Sequence, residues 1–162
     1  MDNDDLKKLH TLIKGIKTAM LTTIDDHGAL RSRPMGTMEV DDSHDLWFFT
    51  QLDSPKVAEI AREMQVNVSY SDPGDNRYVS VSGLAQTIRD RAKIKELWKP
   101  AYVAFFPEGV DDPNLALLRV TAYDAEYWTG PTNFLGKALR FAVAAIRRDP
   151  APLGENAKLH LA

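Results

Sequence analysis

The stretch Gly28-Ala-Leu-Arg31-Ser-Arg33-Pro-Met35 places two arginines two positions apart within a predicted strand. Because alternate residues of a β-strand point to the same face, we expect Arg31 and Arg33 to share one face. A face that carries paired guanidinium groups is costly to bury without an anion. The stretch therefore predicts either solvated arginines on a strand or one wall of an anion site.

A second segment, Phe49-Thr50-Gln-Leu-Asp-Ser54-Pro-Lys56, ends a predicted strand and begins a helix. Ser54 is a favoured N-cap residue, and proline is tolerated at the first helical position. The N-terminus of a helix offers backbone N–H groups to an anion, and Lys56 adds positive charge there. Arginine contributes bidentate geometry that matches phosphate. The two segments together are suited to a phosphate monoester; the alternative is a capped surface helix beside solvated arginines.

The rest of the chain predicts about six strands, joined mostly by hairpin-like connections, with short helices between them. This pattern is typical of a mainly β, α+β domain built as an antiparallel barrel or sandwich. A single domain is expected over residues 1–148, followed by a C-terminal tail at residues 149–162. Seven segments show strand patterns, at 18–24, 29–40, 46–50, 65–71, 78–84, 115–123 and 125–129, which is close to the six strands that we expect. The predicted helices lie at 6–16, 54–64, 90–98 and 136–148.

Composition excludes several classes of function. The chain has 162 residues, a formal charge of -3 and no cysteine, so disulfides, thiolate metal sites and cysteine nucleophiles are ruled out. A slightly acidic balance argues against generic nucleic-acid binding, which needs a basic footprint. No apolar run reaches the length of a membrane helix, and the acidic N-terminus differs from a signal peptide. The four histidines lack metal-pair spacing, so no metal site is predicted. We expect a cytoplasmic protein.

The order of the two charged segments, with Leu46-Trp-Phe-Phe-Thr50 between them, resembles the flavin-binding core of the pyridoxamine 5'-phosphate oxidase-like split β-barrels. The second half of the chain is similar to the general stress protein branch of that superfamily. The similarity covers about Leu6 to Phe141. The segments that carry it in the second half are Trp98-Lys-Pro-Ala-Tyr-Val-Ala-Phe-Phe-Pro107-Glu-Gly109, Asp112-Pro113 and Ala125-Glu-Tyr-Trp128.

The resemblance implies a six-stranded antiparallel split β-barrel that binds FMN, with FAD as the alternative, at the interface of a homodimer. The flavin site that it implies, together with Arg31 from the strand argument, comprises Arg31, Ser32, Arg33, Pro34, Met35, Phe49, Thr50, Ser54, Lys56, Tyr78 and Trp128. Ser54 and Lys56 match the phosphate grip of the family. Tyr78 stands where the oxidases carry a glutamine that reaches FMN from the other subunit. As the alternative, Phe49 and Trp128 are core aromatics and Tyr78 is an ordinary strand residue.

Departures from the oxidases lie mainly in the part that binds the vitamin substrate. The oxidases place an Arg-Leu-His group after the late tryptophan, where this chain has Phe134-Leu-Gly136. Met38 replaces a lysine, and Pro55 replaces one phosphate-binding arginine. The flavin grip is thus mostly kept and the pyridoxal phosphate grip is lost, so we do not expect true pyridoxamine phosphate oxidase activity.

Three functions follow. The first is a stress-related, flavin-dependent oxidoreductase of unknown substrate, with electron transfer carried by the flavin. The second is a non-catalytic flavin-binding protein for storage or sensing. The third is the binding of another ligand such as haem, for which His160 is the candidate axial ligand. No residue stands out as an acid or base, so no catalytic residue is assigned.

Overall fold

The structure is a computed structural model that describes residues 3–38, 45–131, 143, 145 and 154–161. The helix predicted at 136–148 falls almost entirely outside these residues, as does the segment Phe134-Leu-Gly136. The helices are α1 (Asn3–Ile13), α2 (Pro55–Arg62), α3 (Arg91–Leu97) and a 3-10 helix (Pro100–Ala104). The strands are β1 (Thr18–Ile24), β2 (Leu30–Gly36), β3 (Asp45–Gln51), β4 (Gln65–Asp72), β5 (Arg77–Ile88), β6 (Leu115–Thr129) and β7 (Glu155–His160).

The strands form one antiparallel sheet in the order β2-β1-β4-β5-β6-β3, with β7 paired to β6. β6 holds two partners on one edge, because its first half pairs with β3 and its second half with β7. β2 and β3 stand at the two ends of the order. Helix α2, which follows β3, is tied to β2 by an ion pair between Arg33 and Glu59. This arrangement confirms the predicted antiparallel split-barrel fold.

The predicted strand count of six is wrong, because the described residues contain seven strands. The two strands expected at 115–123 and 125–129 form the single strand β6, whose pairing with β5 shifts register between Ser82 and Gly83. A Cβ at Gly83 would lie 2.6 Å from Val120 Cγ1, so only glycine fits this close approach. β7 lies inside the segment expected to be a tail.

The main core lies on one face of the sheet, here called the inner face. Leu21, Val68, Val81 and Ala125 are cross-strand neighbours there and are almost fully buried. Helix α1 buries four leucine and isoleucine positions against them, and α2 adds Ile60. Helix α1 ends at Ile13, earlier than predicted, because Gly15 adopts a left-handed backbone with φ of +84°.

Among the described residues, the helices that cover the opposite, outer face lie at one end of the sheet. There α3 and the 3-10 helix pack an aromatic cluster, made of Phe49, Trp98, Tyr102 and Phe106, over β3 and β6. Asp90 caps α3, since its carboxylate accepts hydrogen bonds from two backbone N–H groups. The outer face of β1, β4, β5 and β6 beyond this cluster remains largely polar. None of the helices in the described part of the chain has the length and apolar character needed to span a membrane.

Candidate functional site

Strand β2 alternates as the sequence predicts. Arg31, Arg33 and Met35 occupy one set of alternate positions, and Ser32 and Pro34 occupy the other. Arg33 pairs with the inner-face residue Leu21, and Met35 is buried in the main core. Ser32 lies outward, where its hydroxyl is 2.6 Å from that of Thr22. The five consecutive residues predicted to line a flavin therefore divide between two faces of the sheet.

Arg33 is held by a carboxylate that the sequence analysis did not single out. Its Nη2 donates to Glu59 Oε2 at 2.8 Å, and the hydroxyl of Thr23 donates to the same oxygen at 2.6 Å. Both Glu59 and Thr23 are buried. Burial opposes ionisation of Glu59, but the hydrogen bonds from Thr23 and Arg33 outweigh it and hold its pKa below the usual range. Glu59 is therefore an ionised carboxylate at neutral pH.

Lys56 and Ser54 stand beside this ion pair at the start of α2. Ser54 occupies the N-cap position with Pro55 after it, as predicted, but its side chain caps no backbone N–H. The hydroxyl instead accepts a hydrogen bond of 2.7 Å from Lys56 Nζ. Burial, followed by the charge of Arg33, lowers the pKa of Lys56. Lys56 and Arg33 are thus close enough to repel each other.

The loop before α2 is fixed by the residue that directly precedes β6. The amide of Asn114 donates to Asp53 Oδ1 at 2.9 Å, and its side-chain oxygen accepts from the Asp53 backbone N–H at 3.2 Å. The backbone N–H of Leu52 also donates to the Asn114 carbonyl at 2.9 Å. These three hydrogen bonds set the position of Ser54 and Lys56 relative to the sheet.

One donor in this group has unused hydrogen-bonding capacity. Arg33 Nη1 is buried, and it has no hydrogen-bond partner among the described residues. An unpaired buried donor costs about 1–3 kcal/mol, and more when it carries charge. The cluster of Arg33, Ser54 and Lys56, here called the cationic cluster, thus offers an unpaired guanidinium N–H, a lysine and a hydroxyl. These groups fit a phosphate.

Arg31 belongs to a different set of contacts. Its Nε donates to Asp25 Oδ2 at 2.8 Å, and the guanidinium is largely exposed. Backbone hydrogen bonds from Ala29, then the bond from Arg31, lower the pKa of Asp25 to about 2. Asp25 also accepts from the His27 backbone N–H and so closes the β1–β2 turn. The described contacts of Arg31 therefore stabilise a hairpin.

Phe49 and Thr50 point to opposite sides of β3. Phe49 packs in the aromatic cluster, with its ring centroid 5.2 Å from that of Tyr102 and 5.6 Å from that of Trp98. Thr50 is buried, and its hydroxyl donates to the Gln51 carbonyl at 3.4 Å. The described contacts of Phe49 agree with the alternative that it is a core aromatic.

Tyr78 and Trp128 form a directly opposed cross-strand pair on β5 and β6. Both lie on the outer face and are about two-fifths exposed, at 39% and 42%. They line a cavity of about 320 Å³ that is completed by Asn76, Thr129 and residues 154–156. We call this the aromatic groove. Two exposed aromatic rings side by side form an apolar surface suited to a planar ring.

The cationic cluster and the aromatic groove are separate within one chain. Arg33 lies on the inner side of β2, whereas Tyr78 lies on the outer side of β5, with β1 and β4 between those strands. Adjacent strands are about 4.8 Å apart, so two intervening strands separate the two regions by more than a hydrogen-bond contact. His160, the candidate haem ligand, is an exposed side chain on β7 with its Nδ1 3.4 Å from Asp124.

The comparisons with known proteins agree on the family. The sequence model of the family described as "Pyridoxamine 5'-phosphate oxidase like" matches residues 4–151. Among curated proteins, the chain is 27% identical over 160 residues to protein bli-3 of Neurospora crassa, covering 93% of this chain and 77% of that protein.

Two solved structures illustrate the similarity of fold. The general stress FMN/FAD binding protein of Xanthomonas citri is 30% identical, with a TM-score of 0.69 over 82% of this chain and 94% of that one. The putative general stress protein 26 of Jannaschia sp. CCS1 is 22% identical, with a TM-score of 0.74 over 98% of this chain and 99% of that one. The latter likeness supports the fold.

Proposed function

The chain belongs to the pyridoxamine 5'-phosphate oxidase-like family, and we propose that it binds FMN through the cationic cluster of Arg33, Ser54 and Lys56. The observation that carries this proposal is the buried Nη1 of Arg33, which has no partner among the described residues. A phosphate oxygen at this position would satisfy that donor. Burial and the charge of Arg33 lower the pKa of Lys56. A bound phosphate would place a negative charge beside this lysine and so favour its protonated form.

The aromatic groove is the second part of the proposal. Tyr78 and Trp128 are exposed apolar rings and would pack against the isoalloxazine ring of the flavin. Because the groove lies on the opposite face from Arg33, a complete site would combine the cationic cluster of one copy with the groove of another. We therefore propose a homodimer with flavin at its interface. Sedimentation of the flavin-loaded protein as a strict monomer would contradict this assembly.

A bound flavin would supply electron transfer, so the first candidate activity is that of an oxidoreductase acting on a small molecule. The residues of this chain would bind the phosphate, orient the ring and exclude water. No residue of the described site is assigned as an acid or a base. The stress role and cytoplasmic location expected from the sequence stay predictions, as do the flavin contacts of Ser32, Pro34, Met35, Phe49 and Thr50.

FMN is proposed over FAD because the cationic cluster is suited to a terminal phosphate monoester. FAD carries a diphosphate joined to adenosine, so each of its phosphates has one fewer ionisable oxygen than the FMN phosphate. Competition titration of the apoprotein with the two flavins distinguishes these ligands. If FAD binds more tightly than FMN, FAD becomes the proposed cofactor, and the proposal that the protein binds a flavin stands.

The purified protein tests the function directly. We expect a yellow flavin spectrum, or uptake of added FMN, followed by bleaching when NADH or NADPH is added anaerobically. A yellow protein that neither reductant bleaches would favour the non-catalytic flavin-binding alternative. A colourless protein that takes up no FMN would exclude both. For variants of the cationic cluster, Lys95→Ala serves as the control, because Lys95 is an exposed lysine on α3 that pairs with Asp111.

A further inference from the structure

We infer that Glu59 is the positioning residue of the cationic cluster, and this inference rests on the proposed phosphate site. Glu59 occupies α2 one turn after Lys56, and its carboxylate receives Nη2 of Arg33 at 2.8 Å. One guanidinium has two terminal nitrogens. With Nη2 bound to Glu59, the buried Nη1 is the nitrogen without a partner among the described residues. Glu59 thus selects which edge of Arg33 is free for an anion.

A second hydrogen bond fixes Glu59 itself. The hydroxyl of Thr23, on the inner face of β1, donates to Oε2 at 2.6 Å, the same oxygen that receives Arg33. Thr23 is fully buried and Glu59 nearly so, which restricts the rotamers of both. The chain Thr23–Glu59–Arg33 therefore links β1, α2 and β2. Partners of this kind orient the groups that touch a ligand and commonly alter affinity by about tenfold or more when removed, as for metal ligands.

The charge of Glu59 acts against its geometric role. Arg33 and Lys56 carry two positive charges, and Glu59 removes one of them from the cluster. The charge of Asp25 also faces Glu59, but Asp25 is engaged with Arg31. If Glu59 acted through its negative charge alone, it would weaken phosphate binding. Position and charge therefore predict opposite effects when Glu59 is replaced, and substitutions can separate them.

Two variants of Glu59 make the separation. Glu59→Gln removes the charge but keeps an oxygen, and a single oxygen receives both hydrogen bonds in the structure. Glu59→Ala removes both. We expect the ratio of riboflavin to FMN dissociation constants to fall by about tenfold in Glu59→Ala. In Glu59→Gln the ratio should equal or exceed that of the unmodified protein. Glu63→Gln, an exposed glutamate at the end of the same helix, is the matched control.

The comparison of FMN with riboflavin separates a positioning role from general structural support. Loss of folding weakens both flavins alike, whereas a misplaced Arg33 weakens FMN only. Thr23→Val provides a second route if Glu59→Ala does not fold, since valine has nearly the shape of threonine without its hydroxyl. We expect a smaller fall of the ratio there, about threefold, on the scale of one hydrogen bond. An unchanged ratio in the folded Glu59→Ala or Thr23→Val variant would overturn the inference alone. Equal affinity for FMN and riboflavin in the unmodified protein would overturn the proposed phosphate site and this inference with it.

Discussion

The cationic cluster and the aromatic groove differ in what the chain itself supplies. Around Arg33, three elements bring charged groups together, and hydrogen bonds hold Glu59 and Nη2 of Arg33 while the buried Nη1 has no partner among the described residues. Around Trp128, the rings of a cross-strand pair lie half open to solvent. The first region is preorganised for an anion, whereas the second offers a flat apolar surface. The proposed flavin site would therefore take its phosphate contacts from the cationic cluster of one copy and its ring contacts from the aromatic groove of another.

This contrast makes separable predictions. A change in the cationic cluster should weaken only ligands with a phosphate, because in the proposed site the cluster would contact that group alone. A change in the aromatic groove should affect every flavin alike, because FMN and riboflavin share the same ring. Comparing the two flavins therefore assigns each residue to one region or the other.

The largest effect is expected for Arg33→Ala, which alters both binding and stability. It removes a charge-assisted hydrogen bond to phosphate, which weakens FMN binding by about 1.5–3 kcal/mol. It also leaves the buried Glu59 carboxylate without its cation, which lowers the free energy of unfolding by about 3 kcal/mol. The double variant Arg33→Ala/Glu59→Ala should recover most of the stability but none of the FMN affinity. Urea unfolding and FMN titration measure the two quantities, and equal stability of the single and double variants would contradict the ion-pair argument.

Lys56→Ala is expected to affect binding alone. FMN affinity should fall by about 1.5–3 kcal/mol, while riboflavin affinity changes much less. Stability should change little, because burial already disfavours the charged lysine and lowers its pKa. As pH rises towards the ordinary lysine range, deprotonation of Lys56 should reduce FMN affinity, and this dependence should disappear in the variant. Equal losses for both flavins would place Lys56 away from the phosphate.

Trp128→Ala should have a smaller effect that does not depend on the phosphate. An aromatic contact contributes about 0.5–1.5 kcal/mol beyond the area it buries, so FMN and riboflavin should both bind more weakly by a similar amount. Phe105→Ala is the control, because Phe105 is 75% exposed on the loop after the 3-10 helix. Fluorescence quenching during flavin titration measures both. A loss confined to FMN would contradict the assignment of Trp128 to the ring.

Arg31→Gln should have the least effect on flavin binding. It should instead change how the free energy of unfolding depends on pH at acidic pH. The pKa of Asp25 is lowered from 3.8 to about 2, so Asp25 contributes stability above about pH 4 that is lost as pH falls towards 2. Without Arg31, the pKa of Asp25 rises and this loss becomes smaller. The difference in unfolding free energy between the two proteins should therefore narrow from pH 4 to pH 2. A tenfold loss of FMN affinity in Arg31→Gln would instead show that Arg31 belongs to the phosphate site.

Local sequence signals predicted those features of the fold that depend on a single strand or helix. The spacing of Arg31 and Arg33 predicted their shared set of alternate positions, and Ser54 and Pro55 marked the start of α2. These features depend on strand alternation and on the residue preferences at a helix start, both of which are readable from neighbouring residues.

Long-range pairings were not predictable in the same way. Glu59 lies 26 positions from Arg33 and 36 from Thr23 along the chain, and nothing in its own helix marks it as their partner. Its position one turn after Lys56 was the available signal, since it shares a helix face with that lysine. β7 was missed because residues 155–160 show no run of β-branched residues, and pairing with β6 determines their strand conformation.

The most direct test of the account is the affinity of the unmodified protein for FMN compared with riboflavin, measured by titration of the apoprotein under the same conditions. The account predicts that FMN binds at least about tenfold more tightly, because only FMN reaches Arg33 Nη1, Ser54 and Lys56 with a phosphate. Equal affinities, or no binding of either flavin, would contradict it.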